Sequence, residues 1–334
     1  MKQVIIVVPE GNVNLSSISG SFEILNRANG YWKKKGNHSK MEIQIGGFID
    51  TLELGNGFFA IHPVQLDTLG PVDLIIIPSL TYDYAHVLKN NTALIEWIAA
   101  QYKTGAEIAS ICTGAFLLAA TGLIDGKSCS THWNAATDFK RLFPEIDLQI
   151  DKLIAVEDGI YSNGGAYSFL NLMLFLVEKY FDRDTAIFCS KVFQIDIDRH
   201  TQSPFFIFKA QKNHGDDVVL NAQKFIEENL SEKISFEDLS IQLNTSRRNF
   251  DRRFIKATGN TPVEYLQRVK IEAAKRLLEL GRKNINEVMY EVGYADDKAF
   301  REIFKRLNGL SPIDYKQKFN REVLLGYSDT SENN

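Results

Sequence analysis

The chain has 334 residues, 44% hydrophobic and 24% charged, with a formal net charge of −4. That length is too great for one ordinary domain and suits two of roughly 150 residues each. The composition excludes global disorder and collagen-like or low-complexity architectures. The three cysteines (Cys112, Cys129, Cys189) are too few for a disulfide scaffold. No apolar run approaches the ~20 residues that span a bilayer, so a cytoplasmic protein without membrane contact is expected.

Met1 to Val8 has one basic residue and a short apolar run but no cleavage-site pattern, and it reads as a first strand rather than a signal peptide. Val4–Val8, Leu74–Pro78 and Glu107–Ile111 are short aliphatic runs bounded by Gly, Pro or Ser, as expected for strands buried on both faces. Helical patterns lie between them at Ser19–Ala28 and Thr92–Lys103. After Ile160–Ser162, the turn Asn163-Gly164-Gly165 leads into a helix from about Tyr167 to Tyr180, and a second helix runs from Asp182 toward Val192. Alternating strands and helices predict an α/β domain with a mostly parallel sheet between helices. Cys129 and Cys189 read as packing residues in a strand and a helix. The polar stretch around Lys209–Asp217 suits a linker.

The most chemically loaded segment is Ser110-Ile111-Cys112-Thr113-Gly114-Ala115, a strand running through a sharp turn into a helix. Such a turn is expected to expose the cysteine at its apex, over a helix N-terminus that favours thiolate. Ser130-Thr131-His132-Trp133 follows and offers a general base. In "ICTG" and "THW" the chain resembles the PfpI-like members of the class I glutamine-amidotransferase superfamily, over roughly residues 1–195. The resemblance implies a flavodoxin-like parallel-sheet sandwich. It also implies an acid near Ser17, yet no carboxylate occurs between Gly11 and Ser21. A Cys–His pair without an orienting acid is a weakened catalytic unit. Cys112 and His132 therefore read as a vestigial or sensing pair, in a ligand pocket formed with Glu23 and Thr113, and no enzyme activity, cofactor or metal is expected.

From Val218 the strand signals vanish. Residues 218–322 carry a net charge of +4 and the remainder −8, so the two parts face different partners. Ser235 caps a short helix through Leu239 and Leu243 that stops at Asn244-Thr245. Ser246 caps the next, in which Phe250 and Phe254 form the inner stripe while Arg248, Asp251 and Arg252 point outward. Thr261-Pro262 starts a long helix to Leu280, with Tyr265, Val269, Ala273, Leu277 and Leu280 read as its apolar face. The pattern then repeats. Ile285, Val288 and Met289 lead to Val292-Gly293-Tyr294, a second presenting helix carries Phe300 and Phe304, and Gly309-Leu310-Ser311-Pro312 with Tyr315 echoes Gly259-Asn260-Thr261-Pro262 with Tyr265. Two short helices around a tight turn, occurring twice, make two helix-turn-helix motifs.

This block resembles the AraC/XylS family of bacterial transcription regulators, through Ser246-x-Arg248-x-Phe250-x-Arg252-x-Phe254, Gly259-x-x-Pro262-x-x-Tyr265 and Val292-Gly293-Tyr294 onward to Ser311-Pro312. The resemblance implies that the two presenting helices enter major-groove segments about 34 Å apart. It assigns Arg247, Arg248, Asp251 and Arg252 to the first segment and Lys298, Ala299 and Arg301 to the second, with Glu302 standing where arginine is common. The expected organisation is a sensing domain over 1–195, a linker over 196–217, a DNA-binding domain over 218–322 and a polar tail over 323–334. The function expected is sequence-specific transcriptional regulation. Double-stranded operator DNA, a small-molecule effector and a second copy joined through the N-terminal domain are the expected partners. The rival is a Cys-dependent amidase, peptidase or glyoxalase-like enzyme carrying a DNA-binding module, and the missing acid weighs against it.

Overall fold

The computed structural model describes residues 1–320 apart from Asn12 and Tyr82. Residues 321 and 322 and the tail expected over 323–334 lie outside the described residues. The chain forms two compact units, Met1–Gln202 and a second beginning at Ser203.

The first unit is built on strands β1 (Lys2–Val8), β2 (Met41–Gly47), β3 (Leu52–Leu54), β4 (Phe59–Ile61), β5 (Val64–Gln65), β6 (Leu74–Ile77), β7 (Glu107–Ile111), β8 (Ser128–Cys129), β9 (Asp147–Leu148), β10 (Ile154–Glu157) and β11 (Ile160–Asn163). Seven form one sheet in the order β10-β11-β7-β6-β1-β2-β5. Every neighbouring pair is parallel except β10–β11. Val4–Val8 of β1 and all of β6 are buried, because central parallel strands are covered on both faces and read as continuous aliphatic runs. Strand β2, the edge strand β5 and the β3–β4 hairpin have half-buried or exposed positions and carry no such run.

The flanking helices are α1 (Leu15–Lys34), α2 (Tyr84–Asn90), α3 (Thr92–Lys103), α4 (Ala115–Ala120), α5 (Ala136–Leu142), α6 (Phe169–Tyr180) and α7 (Arg183–Phe193). Helix α1 packs on α6 and α7, and α4 packs on α2, α3, β6 and β7. The Asn14 side chain caps α1 by accepting from the Ser16 amide at 3.0 Å. Its buried stripe is Ile18, Ser21, Ile24, Leu25 and Ala28, which turns Phe22, Glu23, Asn26 and Arg27 outward.

The second unit contains α8 (Asp217–Glu228), α9 (Phe236–Gln242), α10 (Arg247–Thr258), α11 (Pro262–Glu279), α12 (Ile285–Glu291), α13 (Asp297–Asn308) and α14 (Pro312–Phe319). Two small cores hold it. Val219, Ile226, Phe236, Phe250, Phe254 and Tyr265 form the first, and Ile271, Leu278, Val288, Phe300, Phe304 and Tyr315 the second. The repeat extends to polar details. Tyr265 donates to Glu227 at 2.8 Å and Tyr315 to Glu279 at 2.6 Å. Thr258 and Asn308 each donate from the side chain to the carbonyl four residues back.

Helix α11 departs from the single stripe expected of it. Leu280 is 60% exposed, and the buried positions are Pro262, Tyr265, Lys270, Ile271, Ala274, Lys275 and Leu278. The reason is topological: this helix serves the first core at its start and the second core along its later turns. The stretch 196–217 is shared between the units. Ile197 packs on the first core. Phe208 and Ala210 pack in the second unit, where the Phe208 amide donates to Glu272 at 3.1 Å.

Candidate functional site

In the first helix-turn-helix, Ser246 caps α10 by accepting from the Asn249 amide at 3.4 Å, after a turn in which Asn244 has φ +53°. Phe250, Phe254 and Thr258 face the core, so the opposite side of the helix is open. Its four arginines have different fates. Arg253 makes a bidentate pair with Asp216, at 2.9 and 2.7 Å, on the residue that caps α8. It therefore fastens two helices of the first module. Arg247 lies over the Phe236 ring and pairs with Asp251 at 2.9 Å. Arg252 is exposed and donates to Asn249 at 2.8 Å. Arg248 is exposed and has no partner within the chain among the described residues. Lys256, also exposed, completes a stripe at 248, 252 and 256. The i, i+4 spacing is the sequence signal that would have added it.

Helix α13 repeats this frame with other charges. Asp296 caps it, accepting from the Ala299 amide at 2.7 Å. Arg301 pairs with Asp297 at 2.8 Å, the Arg247–Asp251 pair with its signs reversed. Lys298 and Glu302 are exposed at the places that Arg248 and Arg252 hold in α10, while Ala299 is half-buried. The outward stripe of α10 is uniformly basic, and that of α13 is mixed.

In the first unit the strand-to-helix turn is where the sequence places it, and Cys112 adopts φ +54°. A side chain on Gly114 would meet the Pro78 carbonyl at 2.6 Å and the Ile77 carbonyl at 2.9 Å, which is why glycine follows so closely. The expected exposure of the thiol is corrected: Cys112 is only 3% exposed. Its surroundings close around it. Thr131 donates to the Cys112 carbonyl at 2.9 Å, and Thr113, itself buried, donates to Leu80 at 2.6 Å and pairs with the Ser79 hydroxyl at 2.9 Å. Ser17 accepts from the Ser79 amide at 3.1 Å, so hydroxyls stand where the resemblance implied an acid. Burial pushes the Cys112 thiol up, against the smaller opposing effect of hydrogen bonds from Ser79 and Thr113.

His132 is half-buried, and burial lowers its pKa. Its Nδ1 accepts the Asn134 amide at 3.1 Å, which puts the neutral ring's proton on Nε2 and occupies its lone pair. Glu23 lies elsewhere. It lines an open groove of about 880 Å³ with Leu15, Ile18, Phe22, Ile61 and Phe188, in which Cys112, Thr113 and His132 take no part. Among the described residues, no three His, Cys, Asp or Glu side chains converge to hold a metal. No helix among them is long and apolar enough to cross a membrane.

The DJ-1/PfpI family matches residues 68–176, and a helix-turn-helix domain family matches residues 239–318. The chain carries a DJ-1/PfpI domain followed by an AraC-type helix-turn-helix domain. GbdR of Pseudomonas aeruginosa strain UCBPP-PA14, an HTH-type transcriptional regulator, is 25% identical over 224 residues, 67% of this chain. The match spans 61% of GbdR's own length. GlxA of Rhizobium meliloti strain 1021, also an HTH-type transcriptional regulator, is 25% identical over 219 residues, covering 65% of this chain and 67% of GlxA. A solved protein from Vibrio parahaemolyticus, provisionally named a transcriptional regulator, superposes with a TM-score of 0.51 at 28% identity, over 57% of this chain and 98% of that one. With the 7-stranded, parallel-dominated sheet and the repeated helix-turn-helix, these likenesses agree with the fold read from the sequence.

Proposed function

We propose that the chain is a sequence-specific DNA-binding transcriptional regulator acting in the cytoplasm. The AraC-type domain would read operator DNA, and the DJ-1/PfpI domain would sense a small molecule and join a second copy. The observation that carries this reading is the outward stripe Arg248, Arg252 and Lys256 on a presenting helix whose frame occurs twice. Arginine forks match the acceptor edge of guanine in the major groove, and exposed basic groups along one helix face suit phosphate. In this reading Arg248 and Arg252 touch bases, Lys298 and Arg301 serve the second segment, and Arg247, Asp251 and Ala299 shape the approach. The groove beside Glu23 is large enough for an effector.

The test is fluorescence anisotropy of the full chain on its own upstream DNA, with excess nonspecific competitor and a salt series. Saturable binding that survives competitor and falls linearly in log affinity against log salt is expected. Loss of binding to competitor at every salt, repeated on genome-wide fragments, would sink the reading.

We propose further that the Cys112 turn is not catalytic. The thiol is buried, its hydrogen-bonding neighbours are the Ser79 and Thr113 hydroxyls and the Thr113 amide rather than a charged group, and the His132 lone pair is already engaged. Because its pKa is raised, less of the thiol is thiolate at neutral pH than in free cysteine. Cys112 is therefore expected to react with an aromatic disulfide reagent more slowly than free cysteine at pH 7, with a rate still rising through pH 9. Labelling faster than free cysteine at pH 7 would favour the enzyme instead.

A further inference from the structure

The long helix α11 buries two lysines, Lys270 and Lys275, at 7% and 3% exposure. Lys275 has a carboxylate beside it, Glu272 at 3.0 Å, and donates to the Phe206 carbonyl. Lys270 has no carboxylate partner among the described residues. Its ammonium donates to the Gly293 carbonyl at 3.0 Å and lies 5.4 Å from the centre of the Tyr294 ring. A buried cation compensated only by neutral groups costs stability that an apolar side chain would not, so its location asks for a reason.

The location is the junction of the two modules. Gly293 is the turn between α12 and α13, with φ +75°, its amide on the Tyr290 carbonyl and the Tyr294 amide on that of Met289. A β-carbon on Gly293 would stand 2.6 Å from the Leu230 carbonyl oxygen, 2.7 Å from that of Ser231 and 2.7 Å from Lys270 Nζ. Leu230 and Ser231 form the turn between α8 and α9 of the first module. One ammonium, carried by the helix that joins the modules, thus sits where a turn of the first module meets the reading turn of the second. The ammonium donates to the Gly293 carbonyl, and the Leu230 and Ser231 carbonyl oxygens close the same small space from the first module.

We infer that Lys270 is a positioning residue: it pins the Gly293 turn against the Leu230–Ser231 turn and so fixes the separation and phase of the two DNA-reading helices. This rests on the DNA-reading proposal above. Without the pin the modules keep their own cores, since the two aromatic cores share no residue. The offset between α10 and α13 then rests on the shared helix α11 alone, and rejection of DNA whose two contacted segments are wrongly spaced weakens.

The experiment uses the full chain and a duplex enriched by the wild type from a random-sequence pool. Hydroxyl-radical footprinting defines the two protected segments, and a second duplex carries five extra base pairs between them, about half a helical turn. Wild type is expected to bind the lengthened duplex at least tenfold more weakly. Lys270→Met keeps the apolar stem without the donor, and is expected to cut that preference to threefold or less while still melting cooperatively. An undiminished preference in Lys270→Met, or a wild type indifferent to the insertion, overturns the inference. If Lys270→Met does not fold, Lys270→Gln is read by the same criterion. Failure of both to fold also overturns it, because the lysine would then hold the fold rather than the spacing. A wild-type footprint of one segment removes this inference alone, whereas failure to enrich any duplex strikes the DNA-reading proposal itself.

Discussion

Phe254→Ala is expected to destabilise the helix-turn-helix unit by about 3–5 kcal/mol, the usual cost of removing a buried aromatic ring. Phe254 is fully buried, with ring centroids 5.6 Å from Phe250 and 5.3 Å edge-on to Tyr265. Tyr265 in turn anchors Glu227 of α8, so the cavity would open where α8, α10 and α11 meet. A core this small has few side chains that can move in to fill it. Urea titration of the unit beginning at Ser203, followed by circular dichroism, measures the change, and a loss below about 1 kcal/mol would show that the ring does not hold the module. The matching ring of the second module, Phe304, stands 5.8 Å from Phe300 and 5.5 Å from Tyr315.

Arg252→Ala and Arg248→Ala should leave that stability within about 0.5 kcal/mol, because both side chains are exposed. Each is expected to cost about 1–3 kcal/mol in specific DNA binding if it reads a base. The two residues are one helical turn apart, so their effects in the double variant need not add. Salt titration separates the roles. Removing a side chain that reads a base relaxes preference at one position of the operator. Removing one that neutralises a phosphate weakens all sequences alike and lowers the salt slope by about one. Arg253→Ala is the internal control: its guanidinium is held by Asp216, so its effect belongs to folding more than to binding. Affinity unchanged in both single variants would remove α10 as the reading helix.

Much of the architecture is legible in the sequence because it is written in strong periodicities. The strand Glu107–Ile111 and the helix Thr92–Lys103 have the bounds their patterns suggest, and both helix-turn-helix frames are spelled out by caps and paired phenylalanines. Strands β2 to β5 are not legible, since strands of two to seven residues with half-buried or exposed positions carry no continuous apolar run. The sites can be read less completely. Sequence spacing places Asp251 one turn from Arg247 on a basic helix, but only the fold shows Asp216 beside Arg253. The burial of Cys112 depends on Ser79 and Thr131, which come from distant segments, and no local pattern reports that. Lys270 looks like one more surface lysine for the same reason.

The repeated frame has a consequence for how such a protein can change. The residues that hold each presenting helix, Phe250, Phe254 and Gly259 or Phe300, Phe304 and Gly309, occupy positions disjoint from the outward stripe at 248, 252 and 256 or 298 and 302. If the stripe reads DNA as proposed, substitution on it alters what is recognised while barely touching what is folded, and each copy can vary without the other. Arg252 and Glu302 stand at equivalent places in the two copies, so the stripes already differ while the frames agree. On the proposed reading, one scaffold thereby holds two independently adjustable addresses, and a change of target need pass through no unfolded intermediate sequence.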